Sequence, residues 1–141
     1  MRTAVKLALA ILLGCGGLLL ALGVIIWAGI GDHEQWVAVH ISVGVVLVLT
    51  LWTIAAIAMR SGVPAGAVTF AAAWGLVVVL FGLAQEDLFT GSWHPTIQVL
   101  HLAISMGAIW WGRRLVKLIE QARPATQPTV AHPPMATSAH R

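Results

Sequence analysis

Charged side chains are scarce in this sequence, and cysteine is nearly absent. Only 9% of the 141 residues are charged, whereas 59% are hydrophobic. A soluble domain of this size could not bury so much apolar surface in one core, but a lipid bilayer accepts it. The single cysteine, Cys15, excludes an internal disulfide, and there is no Cys-x-x-Cys-His motif for covalent haem attachment. No nucleophilic triad, phosphate-binding loop or nucleic-acid-binding patch is evident, so we expect an integral membrane protein that binds no nucleic acid.

Four apolar segments are long enough to cross a bilayer, which requires about 20 residues per helix. The connections between them are short, and short connections place neighbouring helices antiparallel in a bundle. We predict an all-α fold, a four-transmembrane-helix bundle within residues 1–121, with spans at about 4–30, 36–59, 64–84 and 95–118. The first span is longer than the apolar run of a signal peptide and is predicted to be retained. Residues 122–141, rich in Ala, Pro, Thr and Ser, are predicted to form a disordered tail.

The distribution of cations predicts the orientation. The first and third connections contain acidic residues and no Lys or Arg, and cytoplasmic segments normally carry an excess of Lys and Arg. Both termini and the second connection are therefore predicted to be cytoplasmic. Two of the cations, Arg113 and Arg114, are predicted to anchor the inner interface beside anionic lipid. The full set is Arg2, Lys6, Arg60, Arg113, Arg114, Lys117 and Arg123.

The two halves of the chain align without a gap when the sequence is shifted by 61 residues. The shift superposes His33 on His94 and His40 on His101, and it also superposes Gly14 on Gly75. Each half is then one helical hairpin, and both hairpins have the same orientation. We predict two tandem hairpins related by a pseudo-two-fold axis along the membrane normal. Such an axis places His40 and His101 at one depth, where both can reach a centre on the axis.

The inner histidines, His40 and His101, are each followed four residues later by a small residue, Gly44 or Ser105. On a helix this residue lies on the same face one turn along, where a small side chain leaves room for a flat macrocycle. A single histidine near a helix start is commonly an interfacial residue, but a symmetric pair inside a bundle favours ligation. We predict a haem with two axial histidines, which suits electron transfer because no coordination position is left open for a substrate.

The outer histidines, His33 and His94, precede the inner pair by two helical turns. We favour interfacial capping for them. The alternatives are a proton acceptor facing a quinone, a second haem site, or a zinc or copper site at the surface that includes Asp32, Glu34 or Asp87.

Other residues indicate helix ends and packing. Asp32 followed by Gln35 resembles a capping box, and Pro95 fits the first position of a helix. Trp52 and Trp74 lie deep within the spans and are predicted to pack inside the bundle. Several glycines are predicted to allow close approach of helices, namely Gly14, Gly16, Gly17, Gly23, Gly75 and Gly82.

Four spans with one histidine near the outer end of the second and of the fourth resemble one half of haem A synthase, an enzyme built as a tandem of two such units. The resemblance covers about residues 4–120 and implies the same topology and histidine placement. Ile41 and Leu102 stand where that family pairs arginine with its histidines, and Val37 stands where it has a glutamate. The haem-modifying activity of that family is therefore not carried over.

The chain is also similar to the small b-type cytochromes of bacterial membranes, which take electrons from quinol and usually hold two haems. The segments Gly91-Ser92-Trp93-His94 and Gln98-Val99-Leu100-His101-Leu102, with Gln85, resemble a group of small, uncharacterised bacterial membrane proteins. These resemblances imply the bacterial inner (cytoplasmic) membrane, haem b, a quinone and a redox partner protein.

Three functions follow as hypotheses. The favoured one is a single-haem b-type cytochrome that carries electrons. The second is a cofactor-free accessory or assembly subunit of a membrane complex, and the third is a metal-handling or transport protein that uses all four histidines. The sequence does not specify the oligomeric state.

Overall fold

The structure, a computed structural model, describes residues 2–85, 88 and 94–122. These residues form four helices and no strand, which confirms the prediction of an all-helical chain. Each helix coincides closely with one predicted span. The helices are α1 (Arg2–Trp27), α2 (His33–Arg60), α3 (Ala65–Ala84) and α4 (His94–Gln121). The predicted tail lies outside the described residues apart from Ala122.

The connection between α1 and α2 shows how local chemistry sets helix ends. We predicted that the first span continues to residue 30, but α1 ends at Trp27 because Gly29 and Gly31 adopt positive φ angles of 67° and 78°. Glycine enters this region without steric cost. Helix α2 then begins earlier than predicted, since the Asp32 carboxylate accepts a hydrogen bond of 3.2 Å from the Gln35 N–H. The predicted N-cap is thus confirmed.

Helices α1, α2 and α3 are each long and apolar enough to cross a membrane. Much of their apolar surface faces outward, as at Leu80 and Val24, which are 58% and 56% exposed. Surface of this kind is stable in contact with lipid. Helix α4 is less apolar because it contains four charged residues in its last third, as well as two histidines and Gln98. These three helices are therefore consistent with a membrane protein, while the fourth span stays a prediction.

The helices form a closed ring in which α1 contacts α2, α2 contacts α3, α3 contacts α4, and α4 contacts α1. Across one diagonal of the ring, α2 also contacts α4, whereas α1 and α3 do not touch within the described part of the chain. Two pairs on this diagonal, His40 with His101 and Leu51 with Gly112, are each separated by 61 residues. Helices α2 and α4 therefore run in the same direction and in one register.

Two tryptophans fix the positions of α2, α3 and α4 relative to one another. The indole N–H of Trp52 donates to the Ala72 carbonyl at 3.0 Å, and its ring leaves no room for a side chain at Gly75. The indole N–H of Trp74 donates to the Ile104 carbonyl at 2.9 Å. Its ring packs against Gly107, where an added Cβ would lie 2.6 Å from Nε1. The predicted position of Trp74 in the bundle is confirmed, whereas Trp52 is 38% exposed. Each tryptophan links two neighbouring helices.

Packing is dense at one end of the bundle and sparse at the other. None of the residues 33–46 of α2 is buried, whereas seven residues between Leu47 and Arg60 are. The same holds for α4, in which residues 98–107 contain no buried side chain. The largest fully buried side chains are Leu12, Leu47, Leu51, Ile54, Leu115 and Ile119. The inner histidines thus lie in the sparsely packed half.

Candidate functional site

The structure brings the rings of His40 and His101 together across the α2–α4 diagonal. Their centres are 6.2 Å apart, and the ring planes are inclined by 45°. Both side chains are half-buried. No charged residue occurs in α2 between Glu34 and Arg60, or in α4 before Arg113. The two imidazoles therefore face each other in a region with no charged side chain on either of their helices.

The separation of the rings matches that of two imidazoles sharing one metal. A metal-bound imidazole nitrogen lies about 2 Å from the metal and the ring centre roughly 1 Å farther, so two imidazoles on opposite sides of one metal have ring centres about 6 Å apart. The observed 6.2 Å is close to this value. The arrangement is thus suited to a metal between them.

Each of these rings has a buried nitrogen without a partner. The Nδ1 atoms of His40 and His101 are buried and make no hydrogen bond within the described residues. A neutral imidazole carries one donor and one acceptor, and a buried polar atom left unpaired costs about 1–3 kcal/mol. A purely structural role would normally satisfy these atoms, whereas a ligand-binding role tolerates the cost in the free protein.

The neighbouring helices approach both histidines through glycine. A Cβ added to Gly23 of α1 would lie 3.8 Å from Cε1 of His40, and one added to Gly82 of α3 would lie 3.3 Å from Cε1 of His101. Phe81 stacks against the His101 ring, with centres 6.2 Å apart. The sequence predicted close approach of helices at Gly23 and Gly82 but did not indicate which residue each glycine would contact. Their positions near the carboxyl ends of α1 and α3 were the signal that could have connected them to the histidines.

Gly44 and Ser105 follow the inner histidines by one turn, as predicted. A Cβ added to Gly44 would meet no atom within 4 Å, so there is space on this side of α2. Ser105 is half-buried on α4. Gly14 and Gly17 also meet nothing within 4 Å, so close approach is not seen at these two glycines.

The outer histidines are not brought into a described site. His33 is exposed in the first turn of α2, next to the capping residue Asp32. His94 is the first residue of α4, but its side chain lies outside the described residues, as does Asp87. Among described side chains, no group of three or more His, Cys, Asp or Glu could hold a metal ion. The second haem site and the surface metal site stay predictions.

Comparison with models of protein families, with curated proteins and with solved structures gave no significant match.

Proposed function

We propose that this chain is a b-type cytochrome of the bacterial inner membrane. It holds one haem between His40 and His101 near the outer face, and it transfers electrons from a quinol to a partner protein. In this proposal α4 is the fourth span, both termini are cytoplasmic, and the two hairpins are related by a pseudo-two-fold axis. The pairs at a separation of 61 residues, which include His40 with His101, support that symmetry.

The observation that carries the proposal is the distance of 6.2 Å between two imidazoles whose Nδ1 atoms are buried and unpaired. A shared metal explains the distance, and ligation offers a gain in free energy that offsets the cost of burying the rings.

The residues around the pair have separate roles in this proposal. His40 and His101 are the two axial ligands, while Gly44 and Ser105 keep the next turn of each helix small. Gly23 lets the His40 ring lie close to α1. A haem with two imidazole ligands supplies reversible one-electron transfer with no coordination position open to substrate.

The electron donor in the proposal is a quinol because the bilayer delivers it directly to the surface of α2. Val39 and Ile41 flank His40 and are 37% and 48% exposed, so an apolar ring can reach this level from the lipid. The acceptor is a redox protein at the outer face, since the histidines lie in the half of α2 near Asp32.

Absorption spectra of four proteins test the ligand assignment: the parent, His40→Ala, His101→Ala and His33→Ala, each purified in detergent and loaded with excess haem. The parent and His33→Ala should give six-coordinate, low-spin spectra. Each inner variant should lose this spectrum, and any haem that remains should be five-coordinate and bind carbon monoxide. Gly44→Leu should lower haem content while both ligands remain, because the added side chain takes the space of the macrocycle.

Identical haem content and spectra in all four proteins would exclude these ligands. A parent that binds no haem after adequate loading would contradict the cytochrome and favour the accessory subunit.

A further inference from the structure

The carboxyl-terminal half of α4 presents a groove that combines cations with apolar side chains. Its volume is about 340 Å³. The residues that line it recur at intervals of three and four, so they lie on one face of the helix. They are Met106, Ile109, Trp110, Arg113, Arg114 and Lys117.

The cationic side chains of the groove are exposed, and one of them contacts an aromatic ring. Arg113, Arg114 and Lys117 are all exposed. The Arg114 guanidinium lies 5.5 Å from the centre of the Trp110 ring, within the range of a cation–π contact. This contact holds one cation beside the apolar part of the groove. The acidic residue nearest in sequence is the exposed Glu120, which lies one turn beyond Lys117 toward the end of α4.

The apolar part continues toward the middle of the bundle. Trp110 and Met106 are 54% and 51% exposed, and Leu102 and Val99 extend the same face with exposures of 43% and 66%. From Val99 to Arg113 the helix rises about 21 Å at 1.5 Å per residue. One leaflet of the hydrocarbon core is about 15 Å thick, which is half of about 30 Å. The track is therefore long enough to contact an acyl chain along its whole length.

These features together select one kind of occupant. Guanidinium groups bind phosphate oxygens through paired hydrogen bonds, whereas the apolar track binds a hydrocarbon chain. A soluble anion would leave the apolar track exposed, and an uncharged lipid would leave the cations without a partner. An anionic glycerophospholipid satisfies both parts.

We propose that this face of α4 is a binding site for one anionic glycerophospholipid. Arg113 and Lys117 bind the phosphate, Arg114 contacts the headgroup from the side of Trp110, and one acyl chain lies along Met106 and Leu102. The site is separate from the histidine pair, so the proposal does not depend on haem.

Native mass spectrometry of the full-length protein in detergent tests the site, with phosphatidylglycerol and phosphatidylcholine of identical acyl chains titrated separately. The parent should form a one-to-one complex with phosphatidylglycerol at much lower lipid concentration than with phosphatidylcholine. A basic side chain near a membrane surface is worth roughly fivefold in anionic-lipid affinity, so two give roughly 25-fold. Arg113→Gln combined with Lys117→Gln should remove most of the preference.

Arg60→Gln is the matched control, because Arg60 is an exposed cation at the same end of the bundle but does not line the groove. It should keep the preference of the parent. Met106→Ala should weaken the binding of both lipids and preserve the ratio of their affinities, since it removes apolar contact alone. All these positions are exposed, and an unchanged helical circular dichroism spectrum checks the fold of each variant.

Equal affinity of the parent for the two lipids would overturn the proposal. An equal loss of the preference for phosphatidylglycerol in the double variant and in Arg60→Gln would also overturn it. Displacement of the lipid by a comparable concentration of soluble glycerol phosphate would also contradict it, because the acyl chain would then contribute nothing.

Discussion

Replacing both inner histidines with leucine should stabilise the protein when no haem is bound. The Nδ1 atoms of His40 and His101 are buried without a partner, and each such atom costs about 1–3 kcal/mol. The rings are neighbours, with centres 6.2 Å apart, so the two gains are not strictly additive. We expect the double variant to unfold with a free energy about 2–4 kcal/mol higher than that of the parent.

The measurement is unfolding of the haem-free protein in detergent micelles by increasing dodecyl sulfate, followed by the helical circular dichroism signal. His33→Leu is the matched control, since His33 is exposed and substitutions of this kind change stability by less than about 0.5 kcal/mol. Haem should remove this difference. At one thousand times its dissociation constant it should stabilise the parent by about 4.1 kcal/mol and leave the double variant unchanged.

A double variant that is less stable than the haem-free parent by more than about 1 kcal/mol would refute this reasoning. It would show that the histidines are satisfied structural residues, and it would transfer support to the accessory-subunit function.

Four further predictions use the same protein preparation. Trp74→Phe should lower the free energy of unfolding by about 1–3 kcal/mol, because it removes the indole hydrogen bond and part of the ring; no loss in the same titration would show that this contact is dispensable. Gly112→Val should cost about 1–3 kcal/mol by overpacking against Leu12, and unchanged stability would contradict the close approach of α1 and α4. Asp32→Ala should cost about 1 kcal/mol through loss of the N-cap, whereas Asp32→Asn should recover most of it. Reporter fusions should place the connection before α2 outside and the connection after Arg60 inside; a cytoplasmic signal from the connection before α2 would exclude the proposed orientation.

The helices were predictable from the sequence because a long apolar run leaves few alternatives. Their ends were less predictable. The first span was placed three residues too far, since the apolar residues before Gly31 continue into a turn made by two glycines with positive φ. The start of α2 was indicated by Asp32 but assigned to a later residue.

The meeting of His40 and His101 was predictable because a shift of 61 residues aligns them, and similar segments of one chain pack in similar ways. The contacts of Trp74 with Gly107, and of Gly82 with His101, were not predictable. They depend on the rotation of each helix about its own axis, which periodicity leaves undetermined when most faces of a helix are apolar. Glycines near the ends of α1 and α3 were visible, but the sequence did not indicate which ring each would meet.

The reduced-minus-oxidised absorption spectrum of the haem-loaded parent, measured together with its haem-to-protein ratio, tests the central claim most directly. The account predicts one haem per chain, a six-coordinate low-spin spectrum in both oxidation states, and no binding of carbon monoxide, since His40 and His101 occupy both axial positions. A parent with no haem, or with a five-coordinate haem that binds carbon monoxide, would contradict it.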